Sequence, residues 1–175
     1  MAPSQQPQRK HFAAASSLEV FHAGGPVRLS PDGTQLATCV HETISIVDVA
    51  TSKVKFTLGG GGGGGGGSLD GGGGDDTEPI TALCWGKDGR RVFSASRSMR
   101  CTVWDATTGE SIRSFKAHGM PVLHMTVDPS GTLLCTSSAD RTARVWDVAK
   151  GFCTHAFRGH AAMVTVAAFH PDARR

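Results

Sequence analysis

From Leu18 onward, apolar and β-branched residues come in short runs, and nearly every run stops at a cluster rich in Gly, Pro, Asp or Ser. The best-formed stretch reads VLHMTVDPSG, TLLCTSSAD, RTARVWD and CTHAFRGH, with runs closed by Pro-Ser-Gly, Ala-Asp-Arg, Ala-Lys-Gly and Gly-His. Branched side chains suit a pleated backbone, and the closing residues supply turn geometry, so each run predicts a strand. In the third run alternation sets Ala143 and Val145 on one face, Arg144 and Trp146 on the other. No segment holds a 3.6-residue apolar period long enough to predict a helix. The chain is expected to be all-β.

The four-run unit recurs at an offset of 42 residues: Pro79 matches Pro121, Gly89 matches Gly131, and Val103, Trp104 and Asp105 match Val145, Trp146 and Asp147. Gly109 and Gly151, Phe115 and Phe157, His118 and His160, Val122 and Val164, and Pro129 and Pro171 keep the same offset. A fainter copy ends at Val47 and Asp48, with Thr51 matching Thr108, but its offset to the next copy is 57. The excess of 15 is about the length of the glycine-rich stretch from Gly59 to Gly74, which is therefore an insertion between repeats. Glycine loses the most backbone freedom on ordering and has no side chain to bury, so this insertion is expected to be flexible coil. A phosphate-cradling loop is set aside because no Lys-Ser or Lys-Thr follows the glycines. The expected organisation is a disordered segment 1–17, a degenerate repeat 18–58, the insertion 59–74, full repeats 75–116 and 117–158, and a truncated repeat 159–175.

A repeat of this length with Gly-His near its start and Trp-Asp at its third strand resembles the WD40 unit, one blade of a β-propeller. The fold class the resemblance implies is an incomplete propeller of about 3.4 repeats. On the family's pattern His118, Thr136, Asp140 and Trp146 form a hydrogen-bonded structural tetrad, in which the histidine bridges the turn aspartate and the strand hydroxyl and the hydroxyl meets the indole N–H. The WD dipeptides are Trp104-Asp105 and Trp146-Asp147. A hydroxyl, a histidine and an aspartate also suggest a hydrolase triad, but the other copies lack members: the second has Asp76 for the histidine and Ser98 for the aspartate, the first Val47 for the tryptophan. Blades tolerate such losses and a catalytic set does not. The ring also sets an expectation about size, since propellers close with about 4 to 8 blades. This chain is expected to be a piece of a longer propeller with an apolar face uncovered at each end, and Leu18 to Phe21 falls in the phase of the strand that closes WD40 rings.

Composition adds exclusions. Thirteen of the 23 glycines lie in the insertion, nine at Gly59–Gly67 and four at Gly71–Gly74, and the rest of the chain is ordinary for a globular protein. Hydrophobic residues at 39% against 19% charged argue against wholesale disorder, and no apolar stretch is long enough to predict a transmembrane helix. The start, MAPSQQPQRKHFAAASS, has no core for a secretory signal. Five cysteines with no CxxC spacing predict small buried hydrophobes in a reducing compartment rather than a metal site or a disulfide frame. A net charge of +3 permits contact with nucleic acid without arguing for it.

The wording of the repeats narrows the resemblance. FHAGGPVRLSPDGTQLATCV with IVDVATSKV, EPITALCWGKDGRRVFSASRS, and above all GFCTHAFRGHAAMVTVAAFHPD resemble the N-terminal part of the thirteenth Utp-series family, called transducin-beta-like protein three in animals. The glycine insertion departs from that family, as does Ala173, which stands where the period calls for a turn glycine. The resemblance implies a non-enzymatic scaffold of the UtpB subcomplex in the small-subunit processome, a nucleolar factor for precursor ribosomal RNA associated with the U-three small nucleolar RNA. It implies protein partners of a UtpB-like complex, precursor rRNA or small nucleolar RNA as a further partner, and no cofactor, metal, membrane or small-molecule substrate. Arg97, Arg100 and Arg141 are the candidate RNA or partner contacts, because they fall where a propeller presents turns at fixed radius. The alternative is a WD40 adaptor of another pathway, such as a ubiquitin-ligase substrate receptor or a signalling scaffold.

Overall fold

The computed structural model describes residues 24–40, 42–59 and 78–172. The N-terminal segment with Leu18 to Phe21, the insertion beyond Gly59, Asp76 and Ala173 lie outside the described residues. Among the described residues, twelve strands form three four-stranded antiparallel sheets. The first holds β1 (Val27–Leu29), β2 (Gln35–Val40), β3 (Thr43–Asp48) and β4 (Val54–Leu58). The second holds β5 (Ile80–Trp85), β6 (Arg91–Ser96), β7 (Arg100–Asp105) and β8 (Ser111–Lys116). The third holds β9 (Val122–Val127), β10 (Leu133–Ser138), β11 (Ala143–Asp147) and β12 (Cys153–Phe157). Strand order follows chain order in every sheet, so each is a meander of hairpins.

The sheets pack face to face. Ile44, Ile46 and Leu58 of the first meet Leu83, Trp85 and Val92 of the second, and on the other side of the second sheet Phe93, Cys101 and Val103 meet Met125, Leu134 and Trp146 of the third. A sheet covered on both faces cannot show a simple inside-outside alternation. That is why β6 of the second sheet is buried without a break from Val92 to Ala95. Exposure rises toward the fourth strand of the second and third sheets, where β8 and β12 are mostly open to solvent. Adjacent sheets are also joined by polar and ring contacts: the Trp85 indole donates to the Arg28 carbonyl at 3.0 Å, and the Phe115 and Trp146 rings lie 4.9 Å apart. Cys39, Cys84, Cys101 and Cys135 are buried strand residues and Cys153 is exposed. Burial pushes the Cys39 thiol up to about 11 and the Cys101 thiol to about 12, which keeps both protonated and unreactive.

The three sheets repeat in detail. A register shift falls between Ile46 and Val47, between Val103 and Trp104, and between Val145 and Trp146, at the same place in each third strand. Gly33, Gly89 and Gly131 all have positive φ in the turn after the first strand. Gly109 and Gly151 do the same after the third strand, at φ 79° and 74°, whereas the first sheet has Ser52 at φ 57°. The left-handed region costs a residue with a Cβ about 1 to 2 kcal/mol, so Ser52 marks a strained turn in the degenerate repeat. Residues 159–172 form no strand, yet Val164 is buried and its N–H donates to the Ser138 carbonyl at 3.1 Å.

Candidate functional site

His118, in the loop between β8 and β9, is carried onto the third sheet next to residues of β10, β11 and the turn between them. Its Nε2 lies 2.8 Å from Thr136 Oγ1 and its Nδ1 lies 2.9 Å from Asp140 Oδ2. The Trp146 indole N–H donates to Thr136 Oγ1 at 2.9 Å. Proton counting fixes the direction of this chain. The indole can only donate, so the Thr136 hydroxyl accepts from it and donates to His118 Nε2, and His118 Nδ1–H donates to the Asp140 carboxylate. All four residues meet, and three of them are nearly inaccessible, with Thr136 at 0% and His118 at 2% exposure.

Two residues that the sequence reading did not single out complete the network. Thr142 donates from its hydroxyl to Asp140 Oδ1 at 2.6 Å and from its N–H at 3.0 Å, and Arg144 reaches the Ala117 carbonyl at 2.9 Å and Asp140 at 3.8 Å. An Asp followed two residues later by Thr is a turn signature that could have indicated the first of these. Burial drives the His118 imidazole below its ordinary range and outweighs the opposing pull of Asp140, so the ring is neutral near pH 7. Burial alone would raise Asp140, but donors from Thr142, His118 and Gly119 prevail and hold its carboxyl at about 2. The pair is thus a neutral imidazole donating to a carboxylate.

This set has the connectivity of a nucleophile, base and orienting acid, but its hydroxyl has no access to a substrate. Thr136 is wholly enclosed and already accepts the indole proton, so its oxygen cannot approach an electrophile. Its chemistry is cross-bracing: one chain of hydrogen bonds ties the β8–β9 loop to three structural levels of the blade. The second sheet keeps half of this arrangement, with the Trp104 indole donating to Ser94 Oγ at 2.8 Å and Ser96 bonded to Ser98 at 2.7 Å. In the first sheet Val47 pairs with Leu36 as Trp146 pairs with Leu134, so no indole donor stands there. The aspartates of the dipeptides cap the following turn: Asp105 accepts from the Thr107 N–H at 2.7 Å and Asp147 from the Lys150 N–H at 2.7 Å.

Arg97 sits exposed in the β6–β7 turn, Arg100 at the start of β7 with its Nε donating to Ser114 Oγ at 3.2 Å, and Arg141 in the β10–β11 turn at φ 66°. Met99 has φ 67° at the position equivalent to Arg141. The three arginines therefore lie at corresponding ends of adjacent blades, but no hydrogen bond or ion pair joins them. Among the described residues, no group of three or more His, Cys, Asp or Glu is placed to hold a metal ion, and no helix is long and apolar enough to cross a membrane.

Comparison with known proteins places these features. The family model for the WD domain, G-beta repeat, matches residues 68–105 and 109–147. Transducin beta-like protein 3 of Bos taurus is 34% identical over 168 residues, covering 95% of this chain and 19% of that protein. The protein of the same name from Homo sapiens is 32% identical over 164 residues, covering 93% and 19%. The chain thus spans about a fifth of the length of these curated relatives. Among solved structures, U3-55K and the RRP9 WD40 repeats each superpose with a TM-score of 0.66, at 20% and 18% identity, over 78% of this chain and 39% of theirs. That likeness speaks for the fold. Three consecutive sheets of one topology, repeat-equivalent Trp-Asp turns and the family match make this chain a WD40-repeat protein built of β-propeller blades.

Proposed function

We propose that the chain serves as a non-enzymatic WD40 scaffold in ribosome biogenesis, within a UtpB-like assembly of the nucleolar small-subunit processome that acts on precursor ribosomal RNA with the U-three small nucleolar RNA. The observation that carries this reading is similarity to transducin beta-like protein 3 along nearly the whole chain, 34% over 95% of its length. Generic blades share the turns and the Trp-Asp dipeptides, whereas this similarity also runs through the degenerate first sheet. The site agrees with a scaffold: the triad-like set is sealed inside a blade, and the exposed Arg97, Arg100 and Arg141 sit on or beside the turns between second and third strands. The protein partners are subunits of that assembly, and Arg97, Arg100 and Arg141 are the proposed contacts to its RNA.

The test is recovery of the epitope-tagged protein from nuclear extract. The reading expects a large ribonucleoprotein particle containing the U-three RNA and small-subunit precursor RNA. A tagged protein found only in small complexes free of both would overturn it. For the arginines, replacing all three by Gln lowers the salt slope of RNA binding by about 2, at roughly 0.7 per phosphate on a single strand. An unchanged slope assigns the rim to protein contacts alone.

A further inference from the structure

The third sheet carries a polar pair where the second has an apolar one. His124 of β9 and Ser137 of β10 are register partners, and 42 residues earlier stand Ala82 and Ala95, register partners in the second sheet. Both alanines are buried in the apolar core that also holds Met125 of the third sheet. The residue 42 after Met125 is Ala167, in the segment 159–172 that follows the third sheet. Large and small residues are thus exchanged at this next seam, where the His124 ring reaches across and donates to the Ala167 carbonyl. The same segment buries Val164 and hangs its N–H on the Ser138 carbonyl at 3.1 Å.

Replacing two alanines by His and Ser puts polar atoms into the seam, and among the described residues His124 Nδ1 and Ser137 Oγ are buried without a hydrogen-bond partner. They complement each other. With its other nitrogen donating to Ala167, a neutral imidazole offers a lone pair at Nδ1, and a serine hydroxyl has a proton to give. Directly opposed residues of an antiparallel pair hold their Cβ atoms about 4.5 to 5.5 Å apart, so a turn of Ser137 about χ1 delivers that proton. Burial first and Arg28 second hold the imidazole below its ordinary range, against the pull of the Ala167 carbonyl, so the ring is neutral near pH 7. On the elements packed around the ring, the other charged or titratable groups among the described residues are the buried, protonated Cys135 thiol and the exposed His160, His170 and Asp172 of the segment. We propose that Ser137, His124 and Ala167 form an acid-released latch that fastens the segment 159–172 to the third sheet, hydroxyl to Nδ1 and opposite ring nitrogen to carbonyl. A proton taken from solvent onto Nδ1 removes the acceptor for Ser137 and sets a cation in the seam within electrostatic reach of Arg28. Release frees the ring to its ordinary value of about 6.5, so docking is complete above that pH and weakens below it, by up to about tenfold per pH unit.

The test is amide hydrogen exchange of the full chain at pH 7.5 and 5.5, followed by NMR and corrected for the intrinsic pH dependence of exchange. Opening at the Val164 N–H is expected to rise about tenfold at the lower pH relative to the amides of β6 and β7, which serve as the internal reference. In His124→Leu, which keeps the bulk without a proton site, it is expected to stay constant. Ser137→Ala separates a latch from an orphaned hydroxyl. The latch predicts that Val164 opens severalfold more often at pH 7.5, whereas removal of an unmatched buried hydroxyl makes opening rarer. Melting temperatures establish that each variant folds, and the wild-type comparison of the two pH values stands without them. Equal opening at both pH values overturns the proposal. So does a rise that persists in His124→Leu, which would pass the effect to His160 or His170, and so does a better-protected Val164 in Ser137→Ala.

Discussion

Thr136→Val replaces a hydroxyl by a methyl at nearly constant volume, in the middle of the third sheet's tetrad. Its cost follows from what the hydroxyl does for others. The Trp146 indole N–H, 2.9 Å away, loses its acceptor, and His118 Nε2, at 2.8 Å, loses its donor. Both are buried, the tryptophan at 6% and the histidine at 2% exposure, so water cannot replace the lost partner without opening the blade. A buried polar group left unmatched costs about 1 to 3 kcal/mol, and two of them, with partial relaxation, give about 3 kcal/mol. Thr136→Ser keeps the hydroxyl and removes one methyl, at about 1 kcal/mol. Urea unfolding followed by tryptophan fluorescence measures both, and with a slope of about 1.5 kcal/mol per M the Val variant's midpoint falls by about 2 M. A Val variant within about 1 kcal/mol of the wild type, or more stable than the Ser variant, would refute the claim that the tetrad braces the blade.

Two further outcomes follow from the same geometry. Native His118 and His124 both have lowered pKa values, chiefly through burial, so the unfolded chain binds more protons as the pH drops through 6.5 and stability falls there. Asp140 contributes stability above 3.8 that is lost as the pH falls toward about 2, worth about 1 kcal/mol after allowance for solvent screening. Denaturant midpoints from pH 8 to 2 should therefore decline in two steps, and a flat profile between pH 7 and 5 contradicts the assignment of buried neutral imidazoles. Ser52→Gly relieves the left-handed backbone of the first sheet's third turn, where the other sheets carry Gly109 and Gly151. It should raise stability by about 1 kcal/mol, read as a higher melting temperature; a lower one shows that Ser52 is not strained.

Much of this was legible in the sequence because repetition is a strong signal. Trp104 and Trp146, Gly89 and Gly131, and Pro129 and Pro171 recur at one offset, and the strands follow from short branched runs between turn residues. What stayed hidden depends on packing between blades. The alternation of Arg144 and Trp146 against Val145 names faces, but not which of them packs on the second sheet. Arg144 also reaches the Ala117 carbonyl, 27 residues earlier in the chain, a contact that no local pattern encodes. A cleft of about 380 Å³ is lined by residues more than a hundred positions apart, Pro31 and Pro171 among them, which only the packing of successive sheets brings together. The first sheet's offset also hid a detail: Thr38 pairs with Ser45 as Ser94 pairs with Thr102 and Thr136 with Arg144, so its second strand is displaced by 56 from the next copy and its third by 57.

The most direct measurement is depletion of the protein in cells that express it, with quantification of small-subunit precursor ribosomal RNA. A ribosome-biogenesis scaffold predicts that early precursors accumulate and mature small-subunit RNA falls, with rescue by the wild-type gene. Normal precursor levels after complete depletion would contradict the account.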